Sequence, residues 1–326
     1  MLKYSFILIT ALSSFFVSFV SSSILNLIII KYQRNRLVGQ SINKYLDKHH
    51  QDKSLTPTLG GVSIIFGIMI SSLLYYQCYK QRNFVCIIVM MLLFFFIGLF
   101  DDLIKVKKKN YLGLSSSIRF FLEILIALIC YYVLSNHYDF SYINLFNEQK
   151  LYIGNLVLLF FPLVLVGTSN SVNLTDGLDG LSSSLYLLSI IPFIVFSMKL
   201  REYYITYILI SSFGATLGFI TFNMYPSKIF MGDSGSLSLG GLLAISALIL
   251  HKELYLILSG GIFVFETISV IFQVLFFKLF KKRIFLMAPF HHHLEKKGYR
   301  EYQIVMYFFI VGLVLSFISV FIGILF

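Results

Sequence analysis

The chain is cut by short polar segments into apolar runs that repeatedly reach the roughly 20 residues a helix needs to cross a bilayer core about 30 Å thick. "SFILITALSSFFVSFVSSSILNLIII", residues 5–30, is the first such run, and "QIVMYFFIVGLVLSFISVFIGILF", residues 303–326, is the last. Between them the pattern predicts eight more, about 58–76, 84–100, 118–135, 152–170, 181–198, 203–222, 235–250 and 254–280. A lipid-exposed backbone must satisfy its own hydrogen bonds, and runs of this length exclude the short alternating strands of a membrane barrel, so the spans are helices. The expected fold is therefore an all-α integral membrane protein, one polytopic bundle of about ten transmembrane helices over residues 1–326. With 58% hydrophobic and 13% charged residues, a soluble single-core domain is excluded. The first run lacks a small-residue cleavage pattern and reads as a retained span. Cys78, Cys86 and Cys130 lie in or beside apolar runs without paired spacing and say little about redox compartment.

Basic residues set the expected orientation. If the loops after spans 1, 3, 5, 7 and 9 share one side, that side holds 19 of the 26 lysines and arginines, and the positive-inside rule makes it cytoplasmic. Both termini then face outward. The net charge of +11 is accounted for by topology and anionic lipid, and calls for no nucleic-acid partner.

Topology does not require acid on the same rim. Asp47, Asp52, Asp101, Asp102, Asp176, Asp179 and Asp233 all fall there, leaving only Asp139 outside. "FDDLIKVKKK" puts two carboxylates at the end of an apolar run, followed by four lysines; "FMGDSGS" places Asp233 where the next span begins; "NSVNLTDGLDGL", residues 170–181, spaces Asn170, Asn173, Asp176 and Asp179 by three. Each carboxylate alone reads better as a solvated helix cap than as a functional group. Together they fit phosphate chemistry: carboxylates hold Mg²⁺ while substrate phosphates complete its octahedron, lysines neutralise the remaining oxygens, and glycines admit anions to backbone N–H groups. Gly177 and Gly180 make a continuous helix through residue 180 doubtful.

These residues carry a resemblance to the polyprenyl-phosphate N-acetylhexosamine-1-phosphate transferases, in particular their phosphomuramoyl-pentapeptide branch. "GQSI" at 39–42, "HQDKSLTPTLGG" at 50–61, "DDLIK" at 101–105, "NSVNLTDGLDGL", "FNMYPSKIFMGDSGSLSLGG" at 222–241 and "KRIFLMAPFHHHLE" at 282–295 follow one another in the family's order from about Gly39 to the last span. The resemblance implies ten spans, Mg²⁺ as cofactor, and transfer of phospho-N-acetylmuramoyl-pentapeptide from its UDP carrier to undecaprenyl phosphate, giving lipid I and UMP. It implies a multi-pass protein of the bacterial inner membrane, a homodimer, with the active site at the cytoplasmic face. It places Asp101, Asp102, Asp233, His291 and His292 in the catalytic set, with Asp233 the metal ligand. Lys53, Thr58, Lys105, Asn170, Asn173, Asp176, Asp179, Asn223, Phe230 and His293 become substrate-binding residues, with the Phe230 ring stacking on uracil.

The chain departs from the family at several points: Leu55 replaces a glycine, Leu59 a methionine, Leu294 an aromatic residue, Arg119 a lysine, and Tyr307 and Phe309 an arginine and a tryptophan. None removes a catalytic oxygen or nitrogen, although Arg119 exchanges a point charge for a fork. Blander readings hold elsewhere. Three adjacent histidines do not all turn toward one ion, so phosphate contact is preferred to a transition metal. Glu266 lies deep in an apolar run, where an ionisable group is costly and by default functional, but the structural reading has the edge: a protonated acid, or one paired with Gln273 or a neighbouring helix's hydroxyl. Glu123 reads as an i, i+4 partner of Arg119, and Gly260 with Gly261 as a bend. Two rivals remain: a UDP-N-acetylglucosamine transferase, whose "DGIDG" pattern differs from "DGLDG" here, and a transporter, which calls for inverted repeats not found in this chain.

Overall fold

The computed structural model describes residues 2–35, 56–79, 82–108, 113–147 and 149–325. Helices dominate: α1 (Leu2–Asn35), α2 (Gly60–Tyr79), α3 (Arg82–Lys108), α4 (Ser116–Leu134), α5 (Val157–Thr175), α6 (Leu181–Lys199), α7 (Tyr203–Asn223), α8 (Gly232–Ile249), α9 (Tyr255–Ser259), α10 (Gly261–Phe280), α11 (Phe290–Lys296) and α12 (Glu301–Leu325). Among the described residues nine helices are long and apolar enough to cross a membrane, which makes the chain an all-α polytopic membrane protein. The expected span at 58–76 is a helix too, with a shorter apolar stretch, Gly60–Tyr76. The expected span at 254–280 is broken where its glycines suggested, with α9 ending and α10 starting at Gly260.

α8 is the hub. It is the most deeply buried span and also the least apolar, because Gly, Ser and Ala fill "GDSGSLSLGGLLAISALI". Small side chains let neighbouring backbones approach closely, the usual basis of helix association where lipid gives no hydrophobic drive. α3, α5 and α2 pack around it, and Ser169 of α5 donates to the Leu237 carbonyl at 2.9 Å. Further polar bonds lock other crossings: Ser71 with Ser211 at 2.7 Å, Tyr186 with Ser212 at 2.6 Å and Ser316 to the Leu188 carbonyl at 2.7 Å. Each contributes of the order of 0.6 kcal/mol.

One element was not foreseen. Tyr142–Asn144 (β1) and Lys150–Tyr152 (β2) form an antiparallel hairpin between α4 and α5. Strands of three residues leave no period to read; the hairpin is held by Lys150 over the Tyr142 ring at 4.0 Å and by His251 stacked on the same residue at 4.7 Å.

Candidate active site

The two acids of "FDDLIK" do not sit at a helix end. α3 continues to Lys108, so Asp101 and Lys105 fall one turn apart on one face, and Lys105 Nζ lies 2.6 Å from Asp101 Oδ2. Asp101 Oδ1 accepts the Leu114 N–H at 2.6 Å, which folds the end of the following loop back onto the helix. Asp102 points to α8 instead. Its oxygens accept the Asp233 and Ser234 N–H groups, both at 3.0 Å, so a buried carboxylate of one helix caps the first turn of another. Gly232 makes this possible: its φ of 76° turns the chain into α8, and a Cβ there would stand 2.6 Å from Asp102 Oδ2.

Asp233 is thereby presented beside the pair. Lys105 Nζ is 3.1 Å from its Oδ1, and Arg119 of α4 donates to its Oδ2 at 2.9 Å. One oxygen from each of Asp101, Asp102 and Asp233 lies within 4.8 Å of the others. A set made only of carboxylate oxygens at this spacing fits a hard divalent cation such as Mg²⁺ rather than a thiophilic metal. Arg119 also lies 3.8 Å from Glu123. Glu123, fully buried, is bonded by Asn170 as well, so the i, i+4 pair expected from sequence is one part of a larger brace behind Asp233.

α5 ends at Thr175, so residues 176–180 form a turn, as Gly177 and Gly180 suggested. Asn173, on the last turn of α5, donates to Ser236 Oγ at 2.8 Å beside Asp233. Asp176 is half-buried; burial and the nearby Asp233 and Asp102 push its carboxyl up to about 8. Asp179 and Asn223 build the turn. Asp179 accepts the Ser227 N–H at 3.0 Å and its hydroxyl at 2.8 Å, while Asn223 accepts from Gly180 N–H at 3.1 Å and Ser183 at 2.9 Å and donates to the Ile229 carbonyl at 3.0 Å. These bonds fasten the 176–180 turn to the 224–230 loop that carries Phe230. Phe230 itself is half-buried, with its N–H on the Pro57 carbonyl at 2.8 Å and its carbonyl receiving Gly60 N–H at 2.9 Å. Thr58 is buried next to that pairing, its backbone clamped by Gln33 at 2.8 and 3.0 Å. Lys53 lies outside the described residues, as do 39–42.

The histidines form α11. His291 is fully buried, His292 Nδ1 meets Glu295 Oε2 at 2.6 Å, and His293 Nδ1 accepts the Leu286 N–H at 3.1 Å. Burial and the neighbouring Lys297 hold the His293 imidazole below its usual range, consistent with an Nδ1 that serves as acceptor. Nothing among the described residues gathers the three rings around one ion; the cluster of possible ligands is the aspartate trio.

A glycosyl transferase family 4 model matches residues 84–251, the stretch from α3 through α8 that carries the trio. The phospho-N-acetylmuramoyl-pentapeptide-transferase of Oceanobacillus iheyensis is 39% identical over 312 residues, 94% of this chain and 95% of that one. That of Bacillus subtilis is 38% identical over 320 residues, 97% of each chain. The chain belongs to the phospho-N-acetylmuramoyl-pentapeptide-transferase family.

Within this family member the structure brings together Asp101, Asp102, Lys105, Asn173, Asp176 and Asp233, and places His291 against the same turn through Gly177. Asn170, Asp179 and Asn223 have their side chains engaged by the protein and shape the surroundings. Sequence reasoning missed two anchors. Glu301 accepts the Asp179 N–H at 2.6 Å, and Glu266 receives the α11 backbone rather than pairing with Gln273, which instead binds the 284–285 backbone. An acid inside an apolar run was the available signal for Glu266; Glu301, an acid in the first turn of α12, carries no signal beyond what any helix start favours.

Proposed function

We propose that the protein transfers phospho-N-acetylmuramoyl-pentapeptide from its UDP carrier to undecaprenyl phosphate, releasing UMP and forming lipid I. The observation that carries this reading is near-full-length identity of 38–39% with proteins of that name, joined to a buried trio of carboxylates with two fixed cations. We include Mg²⁺ in the proposal, held by Asp233 with Asp101 and Asp102; when bound it neutralises phosphate charge and orients the two substrates. Lys105 and Arg119 stand where phosphate oxygens would arrive, and the 176–180 turn, Asn173 and Phe230 form the side on which the nucleotide rests. Lys53 joins the phosphate contacts in this reading, and His292 and His293 the sugar-peptide side.

Little proton chemistry is needed. A phosphate monoester loses its second proton near pH ~6, so the lipid acceptor is already largely ionised at neutral pH. Positioning and charge neutralisation therefore supply most of the rate, and the protein provides both with rigid helices.

The reading extends to a multi-pass protein of the bacterial inner membrane, with both termini outside, the site facing the cytoplasm, and a homodimeric state; 19 of 26 basic residues in the odd-numbered loops support the orientation. The deciding experiment is substrate choice. Purified protein with undecaprenyl phosphate and Mg²⁺ should release UMP from UDP-N-acetylmuramoyl-pentapeptide and much less from UDP-N-acetylglucosamine. Equal turnover of both donors would move the protein to the other branch of the transferases.

A further inference from the structure

Glu266 carries a carboxylate that none of the chemistry above uses. It lies on α10, whose outward face is a row of exposed apolar residues including Phe265, Ile268 and Phe272, yet Glu266 itself is fully buried. Its Oε2 accepts the Phe290 N–H at 2.6 Å and its Oε1 the His291 N–H at 3.1 Å. The same Oε1 is 3.3 Å from His291 Nδ1. Two turns along the same face, Gln273 accepts the Ile284 and Phe285 N–H groups at 3.1 and 2.9 Å. The 284–291 segment is thus held at both ends by polar side chains of one helix. The anchors differ in reach: Gln273 touches backbone only, whereas Glu266 also meets the imidazole.

The far side of that ring is informative. Both ring nitrogens of His291 are buried without a hydrogen-bond partner among the described residues: Nδ1 faces the Glu266 carboxylate as a charge contact, and on the opposite side is Nε2. It abuts Gly177, where a Cβ would collide with it, next to Asp176 and so beside the aspartate trio. Buried polar atoms are almost always paired, and of the two unpaired nitrogens Nε2 is the one on the side of the 176–177 turn, where a group the protein does not itself supply would complete it. A carboxylate beside one imidazole nitrogen favours the proton on that side and leaves the other nitrogen an acceptor, here toward the 176–177 turn.

We propose that Glu266 is a positioning residue for phosphosugar transfer: it holds His291 so that Nε2 meets the donor at the 176–177 turn. The inference rests on the transferase reading above. Glu266→Gln keeps the size and one acceptor for the two amides but removes the charge facing the ring. In proteoliposomes kcat should fall about ten- to a hundredfold, with KM for both substrates within about twofold; the thermal midpoint should fall as well, because one α11 amide loses its acceptor, and by the same amount in the wild-type and His291→Gln backgrounds. In a His291→Gln background the same change should cost less than about twofold, because its effect passes through the ring. Gly177→Ala, which displaces the ring from its other side with Glu266 intact, should lose kcat and be equally silent on top of His291→Gln.

Equal fold-losses of activity in the two backgrounds, or a change confined to KM, would overturn the assignment. So would a His291→Gln enzyme as active as wild type. Should Glu266→Gln not yield folded protein, the cycle is run with Glu266→Asp, which draws the charge back by one methylene; additive losses there overturn it too. A wild-type protein releasing UMP from neither UDP donor would refute the transferase reading, whereas an active wild type with an additive cycle removes only the role of Glu266.

Discussion

Asp102→Asn should unfold the active-site end of α8, and do so more severely than the same change one residue earlier. Asp102 is 2% exposed and takes the Asp233 and Ser234 N–H groups on its two oxygens at 3.0 Å each. Asparagine offers one acceptor; its NH₂ would face the second N–H, donor against donor. One charge-assisted bond, about 1.5–3 kcal/mol, is lost outright, and the favourable charge at the α8 N-terminus, about 0.3–1 kcal/mol, is lost with it. The expected cost is about 2–4 kcal/mol from these two contributions. Asp101→Asn keeps an acceptor for Leu114 N–H and forfeits mainly the pair with Lys105, part-exposed at 16%, which contributes about 1 kcal/mol or less. The chain has no Trp, so circular dichroism of the purified protein is the suitable probe. The Asp102→Asn midpoint should fall by about 5 °C or more, with a smaller fall for Asp101→Asn. Equal midpoints for the two variants would refute the capping role and leave Asp102 a purely chemical group.

Three further outcomes are expected. Asp233→Asn should abolish UMP release, with added Mg²⁺ failing to restore it fully; near-normal turnover would remove Asp233 from the proposed metal site. In a cysteine-free background, Ser115→Cys should react with an impermeant reagent only from the cytoplasmic side and Ser141→Cys only from outside, and the reverse pattern would overturn the orientation. Glu253 is 5% exposed and its carboxyl is pushed up to about 8, by burial first of all, from an ordinary 4.5. The folded state then holds a proton that the unfolded state has lost, so this group's contribution to stability is largest below the ordinary value and declines as pH rises to about 8, by a total of up to about 5 kcal/mol. Glu253→Gln should flatten the fall in thermal midpoint between pH 5 and 8, and an unchanged slope would mean that Glu253 ionises freely in the fold.

The spans were legible because lipid enforces one rule on every helix that meets it, and apolar runs state that rule directly. α8 tested the limit. Its glycines and serines make it the least apolar span, yet it is the most buried, because small residues there serve close packing rather than contact with lipid. The hairpin at 142–152 was invisible, since three-residue strands have no period and are held by ring and cation contacts between distant residues. In the site, the acids were legible as types in a pattern but not as roles. Asp101 and Asp102 are adjacent in sequence and therefore about 100° apart around α3, so one faces Lys105 and the loop while the other crosses to α8.

The same logic explains why Glu266 misled a reading by spacing. Gln273 is seven residues away, two turns along the same face, and a pair between them was a reasonable expectation. What decided otherwise was the 284–291 segment, whose N–H groups have no helix or strand to satisfy them until α11 begins. A buried backbone donor without a partner costs about as much as a lost hydrogen bond. Such donors on Phe285, Phe290 and His291, joined by the exposed Ile284 N–H, outweigh one side-chain pair, and the two acceptors on α10 turn to meet them. The order of the histidine segment is thus set from within a helix that otherwise faces lipid.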